Sequence, residues 1–325
     1  MTSIFITGIN GFVGSTLANY FSAKGYEVTG LGRQGSLSSI VDQRCSYIKG
    51  DITRPISRID TDILIHTAAL GSDTAPYNEL YKNNVQGTAN ILEASSGVRQ
   101  FIHISTSSVY DFLDKKMEES DAGNNFEKLS HYGKTKYLAE EEVLQASNIE
   151  RKTILRPHAI YGVNDRIILP RLLKLVKGNK IILPRHLTTQ VTLTNVSNLV
   201  RAIERNIEEP QKLGVYNICD DVVYALEEVI VSLLTEVTGK KLKVVHIPKS
   251  IWEGFVVFNE RVRLIKEISK FGSDILTQPS MINMNRIKKE LNFESEKISA
   301  KTFKQIGEWV NSEDGYKNYI KKHSY

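Results

Sequence analysis

A tyrosine and a lysine stand four residues apart in the segment Ser130-His131-Tyr132-Gly133-Lys134-Thr135-Lys136. On a helix this spacing places both side chains on one face, one turn apart, and the pattern of Tyr137 to Leu144 is helical. A phenol ionises near pH 10 in water, roughly, and a neighbouring ammonium favours the phenolate. We therefore expect Lys136 to lower the pKa of Tyr132, so that Tyr132 can exchange a proton with a carbonyl or alcohol oxygen.

A glycine-rich turn lies near the start of the sequence, directly after the apolar run Ile4-Phe5-Ile6. The run is typical of a strand buried on both faces, and an amphipathic helical pattern follows the turn. Strand, glycine turn and helix in this order are the arrangement that binds a dinucleotide, because the backbone can approach closely and the helix N-terminus faces the pyrophosphate. The residues assigned to a cofactor in this Gly-x-x-Gly-x-x-Gly turn are Gly8, Asn10, Gly11, Phe12, Val13 and Gly14.

The end of the second predicted strand, Glu27 to Leu31, bears on the choice of cofactor. NAD-binding proteins usually place an acidic residue there, but this sequence has Gly32 and Arg33. A guanidinium can pair with a phosphate, so NADP is favoured and NAD is the alternative. Asp51, followed by Ile52, is placed for the adenine amino group, and a turn-capping role is the alternative.

Apolar runs alternate with helical patterns, which indicates a parallel sheet with right-handed crossovers. Further strands are predicted at 47–50, 63–66, 101–104 and 215–218, and helices at 80–96, 226–237 and 302–310. Ala68 and Ala69 follow one strand and would let a cofactor pass close to the backbone. The predicted fold is α/β, a doubly wound parallel (Rossmann) sheet with a smaller C-terminal α/β substrate domain. Residues 1–165 form the dinucleotide-binding domain, parts of 190–220 return to it, and 166–325 are mainly substrate-binding.

The composition excludes several classes of protein. The net charge of +5 is mild and the basic residues are scattered, which argues against a nucleic-acid surface. No stretch approaches eighteen apolar residues, so no membrane span is expected. Cys45 and Cys219 have neither metal-ligand spacing nor disulfide density, and the first seven residues lack the features of a signal peptide. We expect no metal and a cytoplasmic location.

These motifs together resemble the extended short-chain dehydrogenase/reductases, the NAD-dependent epimerase/dehydratase family. The segments that carry the resemblance are Thr7–Gly14, Gly50-Asp51, His66-Thr67-Ala68-Ala69, Asn84–Thr88, Ser105-Thr106, Tyr132-x-x-x-Lys136, Leu155-Arg156-Pro157 and Tyr161-Gly162. The resemblance is strong through about residue 165 and looser after it.

The resemblance implies roles for individual residues. Thr106 would hydrogen-bond the substrate oxygen, Tyr132 would be the acid/base, and Lys136 would tune it and hold the nicotinamide ribose. Asn84 would position cofactor or water. Ser107, Ser108 and His158 are assigned to the substrate side. A homodimer is a family expectation, and the Glu140–Glu142 run is interpreted as a solvated helix face.

The sequence departs from the sugar-nucleotide members of the family. Dehydratases carry an Asp-Glu pair after the threonine, where this chain has two serines, so a dehydratase is disfavoured. Epimerases usually carry an Asn where this chain has Ala159, and arginines expected near Val191 and ahead of Asn285 are missing. Losing charge-assisted contacts to a diphosphate should weaken a nucleotide-sugar site. Three other arginines could replace them: Arg166, Arg171 and Arg185.

Residues 156–162, 168–173 and 274–277 are similar to the hydroxysteroid-dehydrogenase and ketoreductase branch, whose substrates are larger and less charged. The favoured function is therefore an NAD(P)-dependent oxidoreductase that transfers a hydride between nicotinamide and a secondary alcohol or ketone. The alternatives are a nucleotide-sugar 4-epimerase with tightly bound NAD and a non-catalytic dinucleotide-sensing module. The complete set of Tyr132, Lys136 and Thr106 argues against the sensor.

Overall fold

The structure is a computed structural model that describes residues 1–72, 74–112, 116–184, 189–262, 273, 276–313 and 315–323. Arg185, one of the candidate arginines, and residues 274–275 of the branch resemblance lie outside the described residues.

The strands, in chain order, are β1 Ser3–Thr7, β2 Glu27–Gly32, β3 Ser46–Lys49, β4 Ile63–His66, β5 Gln100–Ile104, β6 Lys116–Met117, β7 Arg151–Pro157, β8 Ile160–Tyr161, β9 Val176–Lys177, β10 Lys180–Pro184, β11 Gln190–Val191, β12 Thr194–Asn195, β13 Leu213–Ile218, β14 Tyr224–Ala225, β15 Lys243–Ile247 and β16 Met281–Ile282. The helices are α1 Phe12–Ala23, α2 Tyr77–Tyr81, α3 Gly87–Ala94, α4 His131–Gln145, α5 Ile168–Leu173, α6 Val196–Glu208, α7 Leu226–Thr238, α8 Lys249–Val262, α9 Asn285–Leu291, α10 Ala300–Ser312 and α11 Tyr316–Lys322.

Seven strands form the central parallel sheet, in the order β13-β7-β5-β4-β1-β2-β3. The chain runs outward from β1 through β2 to β3 and then returns to place β4 on the other side of β1. In such a sheet, ligands bind at the carboxyl ends of the strands where the order reverses. The doubly wound fold predicted from the alternating pattern is thus confirmed, and its switch point lies between β1 and β4.

Alternation along β1 explains why this strand is apolar throughout. Ile4 and Ile6 pack into one core with α1 and α6, while Phe5 packs into a second core with α3 on the opposite face. A third core joins α5, β10, α7, α10 and α11 in the C-terminal part. The strand β13 nevertheless lies in the central sheet beside β7. The division of the chain at residue 165 stays a prediction.

The single helix predicted over 80–96 is in fact interrupted. A π-helical turn, Lys82–Gln86, separates α2 from α3. Such turns are rare in proteins, and those that occur are often found at functional sites. This turn contains Asn84, whose side chain is buried and reaches two other segments of the chain.

Candidate active site

The first turn of α4 lies against a short 3₁₀ turn, Ser107–Val109, which follows β5. The helix begins after Ser130, whose hydroxyl accepts a hydrogen bond from the Gly133 backbone N–H at 3.0 Å. Because α4 starts here, Tyr132 is in its first turn and faces the carboxyl end of β5.

The Thr106 hydroxyl lies close enough to Tyr132 to affect the ionisation of the phenol, and it donates a hydrogen bond to the Ser108 hydroxyl at 3.2 Å. Thr106 also caps the turn that follows it, since its Oγ1 accepts a hydrogen bond from the Ser108 backbone N–H at 3.2 Å. Burial raises the pKa of Tyr132 to about 12, and the Thr106 hydrogen bond opposes that rise. The lowering expected from Lys136 is not found in this structure: loss of hydration of the phenolate raises the pKa, and the opposing group is Thr106 rather than Lys136. At neutral pH Tyr132 is a protonated phenol.

Lys136 is buried and directed toward the sheet. Its Nζ donates a hydrogen bond to the Ile104 carbonyl at 2.9 Å and lies 3.2 Å from Nε2 of His103. Burial lowers the pKa of Lys136 to about 8, and the nearby Glu140 carboxylate opposes that effect. The helix α4 and the strand β5 are therefore connected through the ammonium group.

Glu140, one turn further along α4, is buried, so its interpretation as part of a solvated face is wrong. It forms an ion pair with Arg156 in which Nη2 and Oε2 are 2.6 Å apart, with side chains only 1% and 5% exposed respectively. The Ser105 hydroxyl donates to the same carboxylate, and Arg156 Nη1 donates to the Tyr110 hydroxyl at 3.1 Å. A buried pair is tolerated only when its remaining polar atoms are satisfied, as they are here. Glu140 stands four residues after Lys136, so the sequence already places both side chains on the same, buried face of α4.

Ser107 and His158 form a buried pair on the predicted substrate side. Ser107 Oγ lies 2.5 Å from His158 Nδ1, and His158 Nε2 lies 3.1 Å from the hydroxyl of Ser280. Burial lowers the pKa of His158 to about 4, so its ring is neutral at neutral pH. Both ring nitrogens are engaged by protein, which makes His158 part of the wall rather than a direct ligand. Ser108 is partly exposed beside Thr106.

The glycine turn has the shape that a dinucleotide requires. Gly8 has φ +73°, and a Cβ at Gly14 would stand 2.2 Å from the Gly8 carbonyl oxygen. Gly11 precedes α1 without a side-chain cap, so the first N–H groups of this 12-residue helix are directed at any ligand. Phe12 and Val13 begin the helix. These residues fit a pyrophosphate.

The side chain of Asn10 connects the glycine turn to the loop after β2, and its predicted role in cofactor binding stays a prediction. Its side-chain amide donates to Gln34 Oε1 at 2.8 Å and to the Ser36 carbonyl at 3.0 Å, and its Oδ1 accepts from the Ser38 N–H at 2.9 Å. It thereby holds the loop after β2 beside the glycine turn. The Asn10 carbonyl accepts a hydrogen bond from Arg166 at 3.4 Å, so one of the alternative arginines reaches the glycine turn.

Asn84 braces the loop after β4 against the catalytic helix. Its Oδ1 accepts from the Leu70 N–H at 2.7 Å, and its Nδ2 donates to Thr135 Oγ1 at 3.1 Å. In the same loop the Ala68 N–H donates to Thr7 Oγ1 at 3.2 Å, and Ala69 is exposed. Asn84 therefore positions the loop that would lie along the cofactor.

Arg33 and Asp51 line one cavity of about 720 Å³ at the edge of the sheet. The Thr53 backbone N–H donates to Asp51 Oδ1 at 3.0 Å and is the main cause of the lowered pKa of Asp51, to which Arg33 also contributes. Ile52 is buried. The Asp51 carboxylate therefore lies near the Arg33 guanidinium, which is the group predicted to bind the 2′-phosphate of NADP. Because a carboxylate repels a phosphate, the preference for NADP over NAD is weaker than the sequence indicates.

Across the described ranges, no group of three or more His, Cys, Asp or Glu side chains is placed to hold a metal ion. Nor does any helix in those ranges have the length and apolar character needed to cross a membrane. Cys45 and Cys219 are both buried free thiols.

Residues 4–219 match the sequence model of the NAD dependent epimerase/dehydratase family. The chain belongs to this family. As a member of the epimerase/dehydratase family it is an NAD(P)-dependent enzyme of the extended short-chain dehydrogenase/reductase type.

Two curated relatives represent different chemistries within the epimerase/dehydratase family. The N-acetyl-α-D-glucosaminyl-diphospho-ditrans,octacis-undecaprenol 4-epimerase of Escherichia coli O157:H7 is 28% identical over 258 residues, covering 76% of this chain and 75% of that protein. The 4-hydroxy-2-methyl-3-oxo-4-farnesyl-3,4-dihydroquinoline-1-oxide ketoreductase of Stigmatella aurantiaca is 29% identical over 259 residues, covering 75% of each.

Solved structures of similar fold span almost the whole chain. MoeE5 in complex with UDP-glucuronic acid and NAD superposes with a TM-score of 0.74 at 22% identity, covering 95% of this chain and 99% of that one. UDP-glucuronic acid 4-epimerase from Bacillus cereus in complex with NAD gives 0.73 at 20% identity, covering 96% and 97%. At these identities the likeness establishes the fold.

Proposed function

We propose that the enzyme interconverts a secondary alcohol and a ketone with exchangeable NAD(P), and that the substrate carries no nucleotide. The observation that carries this proposal is the placement of Thr106 beside Tyr132 at the first turn of α4, with Lys136 one turn further along the same helix. Two neighbouring hydroxyl groups can both bind a single substrate oxygen.

In the reduction direction Tyr132 would act as the acid. With a pKa of about 12, raised by burial, the phenol holds its proton at neutral pH and can donate it to a carbonyl oxygen. Thr106 donates a hydrogen bond to the same oxygen and stabilises the charge that develops there. In the reverse direction Tyr132 accepts the alcohol proton.

The proposed cofactor site comprises the glycine turn, the loop after β4 and the edge of the sheet. A bound nicotinamide dinucleotide would supply or accept the hydride. Lys136 provides a cation beside the ribose, and the free N–H groups of α1 bind the pyrophosphate. The cofactor-binding residues proposed are Gly8, Gly11, Phe12, Val13, Gly14, Arg33, Asp51, Ile52, Ala68, Ala69, Tyr132 and Lys136, with Asn10 and Asn84 supporting them.

The substrate side favours a molecule that lacks a nucleotide. Ser107 and Ser108 stand where an acidic pair would be needed for dehydration, and Ala159 offers no amide to a diphosphate. The two curated relatives are named for substrates with an undecaprenol or a farnesyl chain. We therefore propose a ketone or secondary alcohol on a compound with a hydrocarbon portion, bound mainly by residues 166–325.

A 4-epimerase acting on a sugar diphosphate is the second candidate. It is favoured by the E. coli relative, which matches three quarters of both chains, and by Arg166, whose guanidinium lies at the glycine turn. Such an enzyme keeps NAD bound through turnover, because the hydride returns to the same substrate.

The deciding experiment is to denature freshly purified protein and identify the released dinucleotide by mass spectrometry. We expect an empty or partly filled site, followed by turnover in a ketone screen with NADPH and NADH. Stoichiometric NAD or NADH would instead establish the epimerase candidate.

The acid/base assignment has its own test. Tyr132→Phe should reduce turnover by roughly 10³-fold or more while cofactor affinity, measured by fluorescence titration, changes little. Tyr137→Phe, on the same helix but without the Thr106 contact, is the matched control and should stay active. Wild-type rates in Tyr132→Phe would contradict the mechanism.

The choice between the two dinucleotides is tested at Arg33. Arg33→Glu should lower kcat/KM for NADPH by roughly tenfold or more, since a charge-assisted contact to the 2′-phosphate is replaced by repulsion. Lys301→Glu makes the same charge reversal at an exposed position of α10 and should leave the ratio of NADPH to NADH use unchanged. An unchanged ratio in Arg33→Glu would show that Arg33 does not bind the 2′-phosphate and would remove the argument for NADP.

A further inference from the structure

His103 lies in the middle of the central sheet and is fully buried. Its ring is 5.4 Å from the ring of His66 on the neighbouring strand β4. Two neighbouring buried histidines beneath α4, with ring planes tilted by 32°, are not explained by apolar packing, because each ring brings two polar nitrogens into the core.

The neighbouring hydrogen bonds define the tautomer of His66. Thr88 Oγ1 donates to the Asn84 carbonyl at 2.6 Å, so it accepts from His66 Nε2, which is 3.1 Å away. The His66 Nδ1 then accepts from Thr7 Oγ1 at 2.7 Å. His66 is therefore a neutral ring with both nitrogens satisfied.

His103 differs from His66 because only one nitrogen has a partner. Its Nε2 faces Lys136 Nζ at 3.2 Å, while its Nδ1 has no hydrogen-bond partner in the part of the chain that the structure describes. Leaving a buried nitrogen unpaired is unfavourable. A leucine or phenylalanine would remove that penalty, so the contact with Lys136 is the reason to keep a histidine.

We propose that His103 is a positioning residue that, together with the Ile104 carbonyl, orients the ammonium of Lys136 for the cofactor and substrate. An ammonium has three N–H groups in a tetrahedral arrangement. With one donated to Ile104 and one to His103, the direction of the third is determined. This inference rests on the proposed role of Lys136.

The groups around Lys136 allow its titration to be interpreted. His103 and His66 approach it from the sheet, Tyr132 and Glu140 lie on its own helix, and Arg156 from β7 is paired with Glu140. An acceptor on the ammonium favours the charged form. Removing the His103 acceptor should therefore lower the pKa of Lys136 below its value of about 8.

The test measures Lys136 directly by NMR titration of protein labelled in the lysine side chains, with the signal assigned through Lys136→Arg. His103→Leu should lower the pKa of Lys136 by about one unit or more and reduce kcat/KM by roughly tenfold. His103→Gln, whose amide oxygen can accept the same hydrogen bond, should retain most of both. Thr153→Val is the matched control, since Thr153 is buried on the adjacent strand and its hydroxyl also lacks a partner.

An unchanged Lys136 titration in folded His103→Leu would overturn the proposal. Because the titration needs no substrate, that outcome is independent of whether the proposed reaction is correct. If His103→Leu does not fold, the comparison of His103→Gln with His103→Asn decides the question, because the asparagine side chain is one methylene shorter. Equal Lys136 titration in these two variants would equally contradict the proposal.

Discussion

Gly133 lies so close to Ser108 that a Cβ atom at position 133 would stand 2.2 Å from the Ser108 carbonyl oxygen. This approach brings the first turn of α4 onto the turn that carries Thr106, and so sets the separation of the two catalytic hydroxyl groups. The absence of a side chain at one residue thus determines the geometry of the site.

Gly133→Ala should therefore impair both folding and catalysis. The helix must move away from the Ser108 carbonyl, and overpacking of this kind costs about 1–3 kcal/mol. The midpoint temperature of thermal unfolding and kcat should both fall. Gly254→Ala is the control, because Gly254 is also helical and no atom of the described residues lies within 4 Å of the position of a Cβ; there alanine should be neutral or slightly stabilising.

Thr106→Val should lower kcat by roughly 100-fold, as expected for loss of one donor to a developing oxyanion. The Thr106 hydrogen bond lowers the pKa of Tyr132, so its removal raises that pKa further. In the oxidation direction, where Tyr132 must lose its proton, the pH–rate profile should move to higher pH. Thr106→Ser keeps the hydroxyl and should restore most of the rate; equal rates for the valine and serine variants would contradict the assignment.

Glu140→Gln should destabilise the protein by about 3–5 kcal/mol, because it leaves Arg156 buried without its counter-charge. Urea unfolding measures the loss. Glu308→Gln is the matched control. Its partner Lys304 is 3.9 Å away and both side chains are about two-thirds exposed, so the change should stay within about 0.5 kcal/mol. Similar losses for the two variants would show that the buried pair adds little.

Three buried histidines should make the protein sensitive to mild acid. Burial lowers the pKa of His158 to about 4 and of His66 to about 3, and lowers that of His103 well below its usual range. Each histidine gains a proton on unfolding at acidic pH, so its stabilising contribution is present above about pH 6.5 and is lost as the pH falls toward the folded-state value.

The expected slope is about 1.4 kcal/mol per pH unit for each histidine below about pH 6. Urea unfolding at several pH values between 7 and 5 measures it. His158→Gln removes one of the three groups and should reduce the slope by about a third, whatever it does to stability at pH 7. An unchanged slope would mean that His158 does not bind a proton on unfolding.

Local spacing was sufficient to predict much of the fold and the central pair of the site. The glycine turn, the apolar strands and the Tyr132–Lys136 face are each contained within one short segment, so their period and residue types predict them. The partner of Lys136 was not predictable in this way. His103 lies 33 residues earlier in the chain, and it meets Lys136 only because β5 lies beneath α4.

The interrupted helix around Asn84 shows a second limit of sequence-based prediction. Hydrophobic periodicity predicts one continuous helix, because a π-helical turn shifts the register by a single residue. The signal that could have indicated it is an asparagine at a buried position of that helix, since a buried amide needs partners. Those partners, Leu70 and Thr135, are set by tertiary packing.

The imidazole of His158 connects Ser107, which follows β5, with Ser280, which precedes β16 and is 122 residues away from the histidine. A neutral imidazole offers one donor and one acceptor, so the two serines cannot be replaced independently. Among homologues, positions 107, 158 and 280 should consequently vary as a triplet. Libraries intended to alter substrate choice would keep more folded members if these three codons were randomised together.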